Sequence, residues 1–407
     1  MTRGRYVSLI TILGLLTALS PFSIDMYLPG FQDIADNLRT SVATVSLSLS
    51  SFFIGISAGQ LLYGPLLDRH GRKKPLYAGL AIYILSSAAC LAVTHVNGLI
   101  LLRFIQAVGS CAATVAAMAM VRDLFEAKDS AKVFSTLLLV VGASPMIAPT
   151  VGGYVISLYG WRAVFVILLG LGVLVTLMSI FILPESYAPD ESFSLRPLPI
   201  LRNFWGVLRN RQFITYSLTG AFGFAGLFAY VAGSPFVFMD LFHVSKKEYG
   251  WIFAFLSIGF IGFSQLNALL LRKFSSGQVI QVALSWQVLV GLIFWGGNLA
   301  GWYGLPQTIF FIFLFLIGVG FTYPNASALC LAPFTKNAGS ASALMGAFQT
   351  AIGALTSMCV SVFSNGTANP MIAMIAISSL VGLAILFGGK TKALPVTSHT
   401  THVHPPV

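Results

Sequence analysis

Gly64-Pro65-Leu66-Leu67-Asp68-Arg69-His70-Gly71-Arg72-Lys73-Lys74 interrupts two long apolar runs, residues 44–66 and 76–95. Each run is close to the ~20 apolar residues a helix needs to cross a bilayer. Only residues 67–75 separate them, so the chain turns back sharply between the two crossings. Gly64 and Gly71 permit a tight turn and close helix approach. Asp68 can cap a facing helix N-terminus or pair with nearby bases. The basic run anchors the loop to anionic headgroups. An orientation signal alone explains the bases, but not Gly64, Asp68 and Gly71.

Working outward, ten more apolar segments appear: 6–28, 98–121, 133–157, 162–183, 213–239, 251–271, 279–297, 307–333, 341–363 and 370–389. The 407 residues are 57% apolar and only 9% charged, with a mean hydropathy of +0.86. Soluble domains carry about 25% charged residues, so the chain reads as an all-α, polytopic membrane protein. Residues 1–6 read as a short basic lead into the first span, with no small-residue cleavage site at the distance a signal peptide needs. The net charge of +11 does not point to nucleic acid, because the bases are spread among short loops, as membrane orientation signals are. Cys90, Cys111, Cys330 and Cys359 fall inside apolar segments, without metal-ligand or pairing spacing.

Loop charges orient the chain. Of the 23 bases, eighteen fall on the side shared by the N-terminus, the even-to-odd connections and the C-terminus. Only Arg39, Arg162, Lys246 and Lys247 fall on the other. This bias places both termini in the cytoplasm, with the lipid bilayer as an obligatory partner. Residues 184–211, with Pro189, Pro197 and Pro199, read as a cytoplasmic linker between bundles at 1–183 and 212–389. A tail at 390–407 with His399, His402 and His404 reads as disordered. Arg272-Lys273-Phe274-Ser275-Ser276-Gly277 follows the eighth segment as the Asp68–Lys73 loop follows the second, which points to a duplication with a degraded second copy. Parallel six-helix repeats holding substrate between them near the midplane are a transporter design.

Asp25, in Ser20-Pro21-Phe22-Ser23-Ile24-Asp25-Met26-Tyr27-Leu28-Pro29, is the lone carboxylate well inside a span. An ionised group at mid-membrane costs roughly 2.5–3.5 kcal/mol and marks a functional site. Arg103 is the one base comparably placed, and helix depth puts both in the outer half of the membrane, so an Asp25–Arg103 pair is expected. It would serve a transport path or, in the plainer reading, hold two helices together.

Three stretches carry a family resemblance. The 64–74 loop resembles the signature between helices two and three of the major facilitator superfamily. Leu102-Arg103-Phe104-Ile105-Gln106-Ala107-Val108-Gly109 is similar to its helix-four signature, with Ala107 where many members have glycine. Gly142-Ala143-Ser144-Pro145-Met146-Ile147-Ala148-Pro149-Thr150-Val151-Gly152-Gly153 resembles the antiporter motif, with Ala148 before Pro149 as a variant spacing. The Asp25–Pro29 stretch, together with Gly160-Trp161-Arg162, looks like the bicyclomycin-resistance (Bcr/CflA) group of drug/proton antiporters.

The resemblance implies a major facilitator fold of two six-helix bundles in the bacterial inner membrane. It also implies proton coupling at Arg103, a conformational role for Asp68 and Arg72, and a kinked sliding helix around Pro145, Pro149, Gly152 and Gly153. Asp123 joins Asp68, Arg69 and Arg72 as a candidate charge cluster that breaks and reforms as the halves rock. The expected activity is export of a small amphipathic compound against protons, with no organic cofactor, by a monomer. Tyr27, Gln106, Phe222, Tyr230, Tyr323, Asn325 and Gln349 are candidates for the substrate cavity, with Phe224, Phe228 and Phe255 as further aromatic wall. A nucleoside or amino-acid-derivative carrier and a non-transporting receptor of the same fold are the competing readings. An enzyme is disfavoured, because neither HExxH nor a phosphate-cradling GxxxxGK[ST] loop is present.

Overall fold

The computed structural model describes residues 3–189, 197–334 and 338–389. The helices are α1 (Arg3–Asp25), α2 (Phe31–Asn37), α3 (Val42–His70), α4 (Lys73–Leu91), α5 (Val96–Leu124), α6 (Ala127–Tyr159) and α7 (Arg162–Phe181). They continue with α8 (Pro197–Leu208), α9 (Arg211–Pro235), α10 (Lys246–Leu270), α11 (Ser276–Leu299), α12 (Leu305–Leu331), α13 (Ala338–Val362) and α14 (Asn369–Gly388). Among the described residues, twelve stretches are long and apolar enough to cross a membrane, as the sequence leads one to expect.

The first crossing outruns its expected limit at residue 28. It continues to Asn37 through a 3₁₀ turn at Leu28–Gly30 and α2. Pro29 sits in the first turn of that segment, where a missing N–H costs nothing, so the helix bends instead of stopping. The seventh crossing likewise runs past Pro235 into a π-helical turn, Phe236–Leu241, which carries Asp240 outward. Both extensions put acidic side chains at the end of the molecule opposite the Gly64–Lys74 loop.

The two halves repeat one arrangement. α1 packs on α5, α6 and α7 as α9 packs on α12, α13 and α14, and α4 bridges α5 and α7 as α11 bridges α12 and α14. The corresponding turns differ. Gly71 has a φ of 79° after α3, a conformation glycine adopts without steric cost. After α10 the turn has no such residue; Ser275 and Gln278 form a capping box that starts α11. The second copy kept the reversal and changed its chemistry.

The halves meet along α3 with α13 and α6 with α10. Ser50 and Ser357 hydroxyls lie 2.8 Å apart, Ser57 Oγ donates to Ala347 O at 3.0 Å, and Thr150 Oγ1 to Gly250 O at 3.1 Å. In lipid, apolar burial does not drive helices together, so small residues and such bonds do. The adjacent glycines of α6 split their contacts. A Cβ on Gly152 would overlap the Met26 backbone of its own half, and one on Gly153 would overlap the Lys246 backbone of the other.

At the end remote from the Gly64–Lys74 loop the halves are latched. Asp33 and Lys246 form an ion pair at 2.6 Å, and Ser46 Oγ donates to Ala232 O at 3.1 Å. With its amide oriented to satisfy both groups, Gln32 donates to Asp240 at 2.8 Å. At the basic end the halves part around a cavity of about 620 Å³. The 184–211 linker is partly helical, since it contains α8. Its residues 190–196, and the His-rich stretch 390–407, lie outside the described residues.

Candidate functional site

Asp25 is the last residue of α1 and is 5% exposed. Its carboxylate forms no ion pair among the described residues. The expected Asp25–Arg103 pair is therefore not formed. Arg103, fully buried, donates instead to Gln106 Oε1 at 2.5 Å and to Ser23 O at 2.6 Å. Its guanidinium carbon lies 4.3 Å from the Tyr27 ring centroid and 4.2 Å from that of Phe52. Successive helical residues are about 100° apart, so Ser23 and Asp25 point nearly opposite ways. Ser23 faces its own half, with its hydroxyl 2.8 Å from that of Tyr83. Asp25 instead lies within electrostatic reach of Tyr230 and Tyr249 in the other half.

Tyr27 and Gln106 consequently belong to a packed polar network and not to an open cavity. Tyr27 bonds Ser48 at 3.1 Å, and Gln106 donates to Ser87 at 2.7 Å. Tyr230 is buried at the remote end of α9, its hydroxyl without a hydrogen-bond partner among the described residues. Asn325 ties α12 to α10 through Asn267 Oδ1 at 2.7 Å. Here a polar amide in an apolar surround found a helix neighbour, not a ligand. Tyr323 and Gln349 do share a cleft between α9, α12 and α13, of only about 10 Å³. Phe222 is half-buried. Phe255 is half-exposed and stacked on Phe313 at 5.1 Å, on the outer surface. Phe224 and Phe228 belong to an aromatic cluster: Phe224 meets Tyr323 at 5.0 Å, and Phe228 meets Phe53 of the other half at 4.5 Å.

The open cavity lies at the basic end, lined among others by Gln60, Asp68, Arg72, Arg122, Asn203 and Gly339. Gly64 lines it too, and a side chain there would meet open space, so the close helix approach expected of that glycine is not its role. Asp68, Arg72 and Asp123 come together as expected: Arg72 Nη1 donates to Asp68 Oδ1 at 2.8 Å and Nε to Asp123 Oδ2 at 2.7 Å. Burial works against the Arg72 charge, but its bonds to Asp123 and Asp68 outweigh it and hold the guanidinium above its ordinary pKa. All three groups belong to the first half, so in this structure the cluster does not bridge the halves. Arg69 beside it is half-buried.

Pro145 and Pro149 sit inside α6, and the Pro149 carbonyl and Thr150 Cα close on Gly250 of α10.

Sequence reasoning passed over the start of the linker. Glu185 accepts from the Arg72 N–H at 2.7 Å and the Lys73 N–H at 3.2 Å, capping α4, while the Tyr187 ring covers Arg72 at 4.2 Å. The signal available was a glutamate directly after Pro184 at the end of a span, ambiguous without its partner. Glu185→Ala leaves those amide donors uncapped and should lower stability by about 1–2 kcal/mol, read as a lower unfolding temperature in detergent.

Comparison with known proteins agrees with this architecture. The family model of the Major Facilitator Superfamily matches residues 13–357. A bicyclomycin resistance protein homolog of Haemophilus influenzae is 31% identical, over 91% of this chain and 92% of its own. A multidrug resistance protein MdtL of Klebsiella pneumoniae is 29% identical, over 91% and 93%. In fold, the crystal structure of a D-xylose-proton symporter superposes with a TM-score of 0.72 at 14% identity, covering 95% of this chain and 99% of that one. A match that begins in α1 and ends in α13 takes in eleven of the twelve crossings and the cavity between the halves, and by it this chain belongs to the Major Facilitator Superfamily of membrane transporters.

Proposed function

We propose that this protein exports small amphipathic compounds, of the bicyclomycin, phenicol or multidrug type, across the bacterial inner membrane in exchange for protons. It acts as a monomer with both termini in the cytoplasm. The observation that carries this reading is Asp25: a buried carboxylate facing the other half, with neither ion pair nor hydrogen bond among the described residues. Keeping a buried carboxylate charged without a partner is costly, so proton uptake by Asp25 in the closed arrangement is part of the proposed cycle. When the remote end opens, Asp25 meets water and exchanges its proton with the periplasm. Arg103 serves this step by holding α1 through Ser23 and Tyr27, leaving the carboxyl unpaired.

The charge bias puts the 620 Å³ cavity on the cytoplasmic face, where substrate would be taken up. For the return stroke this cavity must close, bringing Asp68 toward Gly339 and Ser340 at the start of α13, across the cavity from it. A helix N-terminus favours an anion, so the Arg72-held carboxylate would stabilise the closed form.

In inside-out vesicles with an acidic lumen, adding bicyclomycin or chloramphenicol should discharge the pH gradient in wild type and not in Asp25→Asn. Compounds that bind without moving protons would favour a receptor. Uptake of labelled nucleosides with indifference to the antibiotics would favour a metabolite carrier. The Asp33–Lys246 latch is part-exposed, and such pairs contribute about 1 kcal/mol or less. Replacing both by Asn and Met should raise the outward-open population up to about fivefold, measured as distances between spin labels on α2 and α10.

A further inference from the structure

Helix α8 lies in the linker, between the end of α7 and the start of α9. One face is packed: Val207 is buried, and Phe204 and Leu208 lie against the inner core of the second half. The adjoining face is bare. Leu198 is 77% exposed, Leu201 60% and Trp205 61%. At about 100° per residue these three fall within roughly 60° of one another around the helix. Arg202 and Arg209, both exposed, flank the same stripe on one side, and exposed Arg211 follows at the start of α9.

We propose that α8 is a membrane-surface anchor. Leu198, Leu201 and Trp205 enter the headgroup layer of an anionic bilayer, while Arg202, Arg209 and Arg211 contact its phosphates. A basic rim around an apolar stripe is the pattern of a helix lying in the interfacial plane, and tryptophan favours that depth. Position favours a bilayer over a protein partner, because the helix is tethered at its C-terminal end, by residues 209–210, to the start of a crossing helix. The anchor also has a consequence for the cavity. Asn203 and Phe204 on the packed side line its mouth, so the bilayer surface holds one rim of the opening in place.

The test uses the full-length protein in nanodiscs and needs no transport. With Cys359 changed to Ser, an environment-sensitive fluorophore is attached to Leu201→Cys, and to Asn365→Cys as a water-exposed reference. In discs containing phosphatidylglycerol, the label at position 201 should emit to the blue and be quenched by shallow nitroxide lipids, while iodide quenches the reference. Arg202→Gln with Arg209→Gln should weaken this partitioning by roughly fivefold per arginine, and pure phosphatidylcholine should weaken it likewise. Equal iodide access at 201 and 365, protection independent of lipid charge, or protection that appears only when a second protein is bound would each overturn the proposal.

Discussion

In Asp25→Asn protein, export against a concentration gradient falls to background while the amount of folded protein in the membrane stays at the wild-type level. Asparagine has the same shape and cannot release a proton. Because Asp25 makes no ion pair or hydrogen bond among the described residues, its replacement leaves no neighbour unsatisfied, and stability should change by less than about 0.5 kcal/mol. Exchange of substrate across the membrane without a gradient should persist and lose its dependence on pH. Arg103→Ala makes the contrast. It removes donors from Gln106 Oε1 and the Ser23 carbonyl inside the bundle, and buried groups left unmatched cost about 1–3 kcal/mol each. That variant should therefore lose folded protein first and activity as a consequence. Uphill export by Asp25→Asn at the wild-type rate would place the proton site elsewhere.

The second large effect is expected from two neighbouring glycines with different fates. Gly152→Leu drives a side chain into the Met26 backbone within one half. Neither partner is the flexible end of a side chain, so the half itself should fail to assemble, and little folded protein should be recovered. Gly153→Leu drives the same side chain into the Lys246 backbone, across the boundary between halves. Each half can still fold, but the latched arrangement of the remote end is overpacked by about 1–3 kcal/mol, shifting that closure about five- to 150-fold toward opening. Far-end label distances should lengthen in Gly153→Leu, with transport lost and protein yield kept. Identical behaviour of the two variants would mean that α6 does not divide its contacts in this way.

Much of the architecture was legible from local pattern. Apolar length set the number of crossings, and Gly71 with its basic neighbours marked the reversal after α3. The charged cluster of Asp68, Arg72 and Asp123 was also readable, because each acid lies at the end of a crossing helix on the basic side. The linker's Glu185 was not readable, because its partners are backbone amides, which every residue carries. The cavity candidates largely misled. A polar or aromatic side chain in a span looks the same from sequence whether it lines the cavity, as Gln60 does, clamps two helices, as Asn325 does, or faces outward, as Phe255 does.

By itself the sequence determined that this chain crosses a bilayer twelve times, in two related halves, with its bases gathered on one side. Those properties follow from hydropathy, helix length and charge, which are additive along the chain and need no partner. Only the tertiary structure decided that Arg103 turns away from Asp25, that Gly152 and Gly153 serve different halves, and that the opening lies at the basic end. Each of these depends on which side of a helix meets which neighbour. Rotation of about 200° between Ser23 and Asp25 separates a residue facing its own bundle from one facing the other, and no count of residues along the chain fixes that rotation.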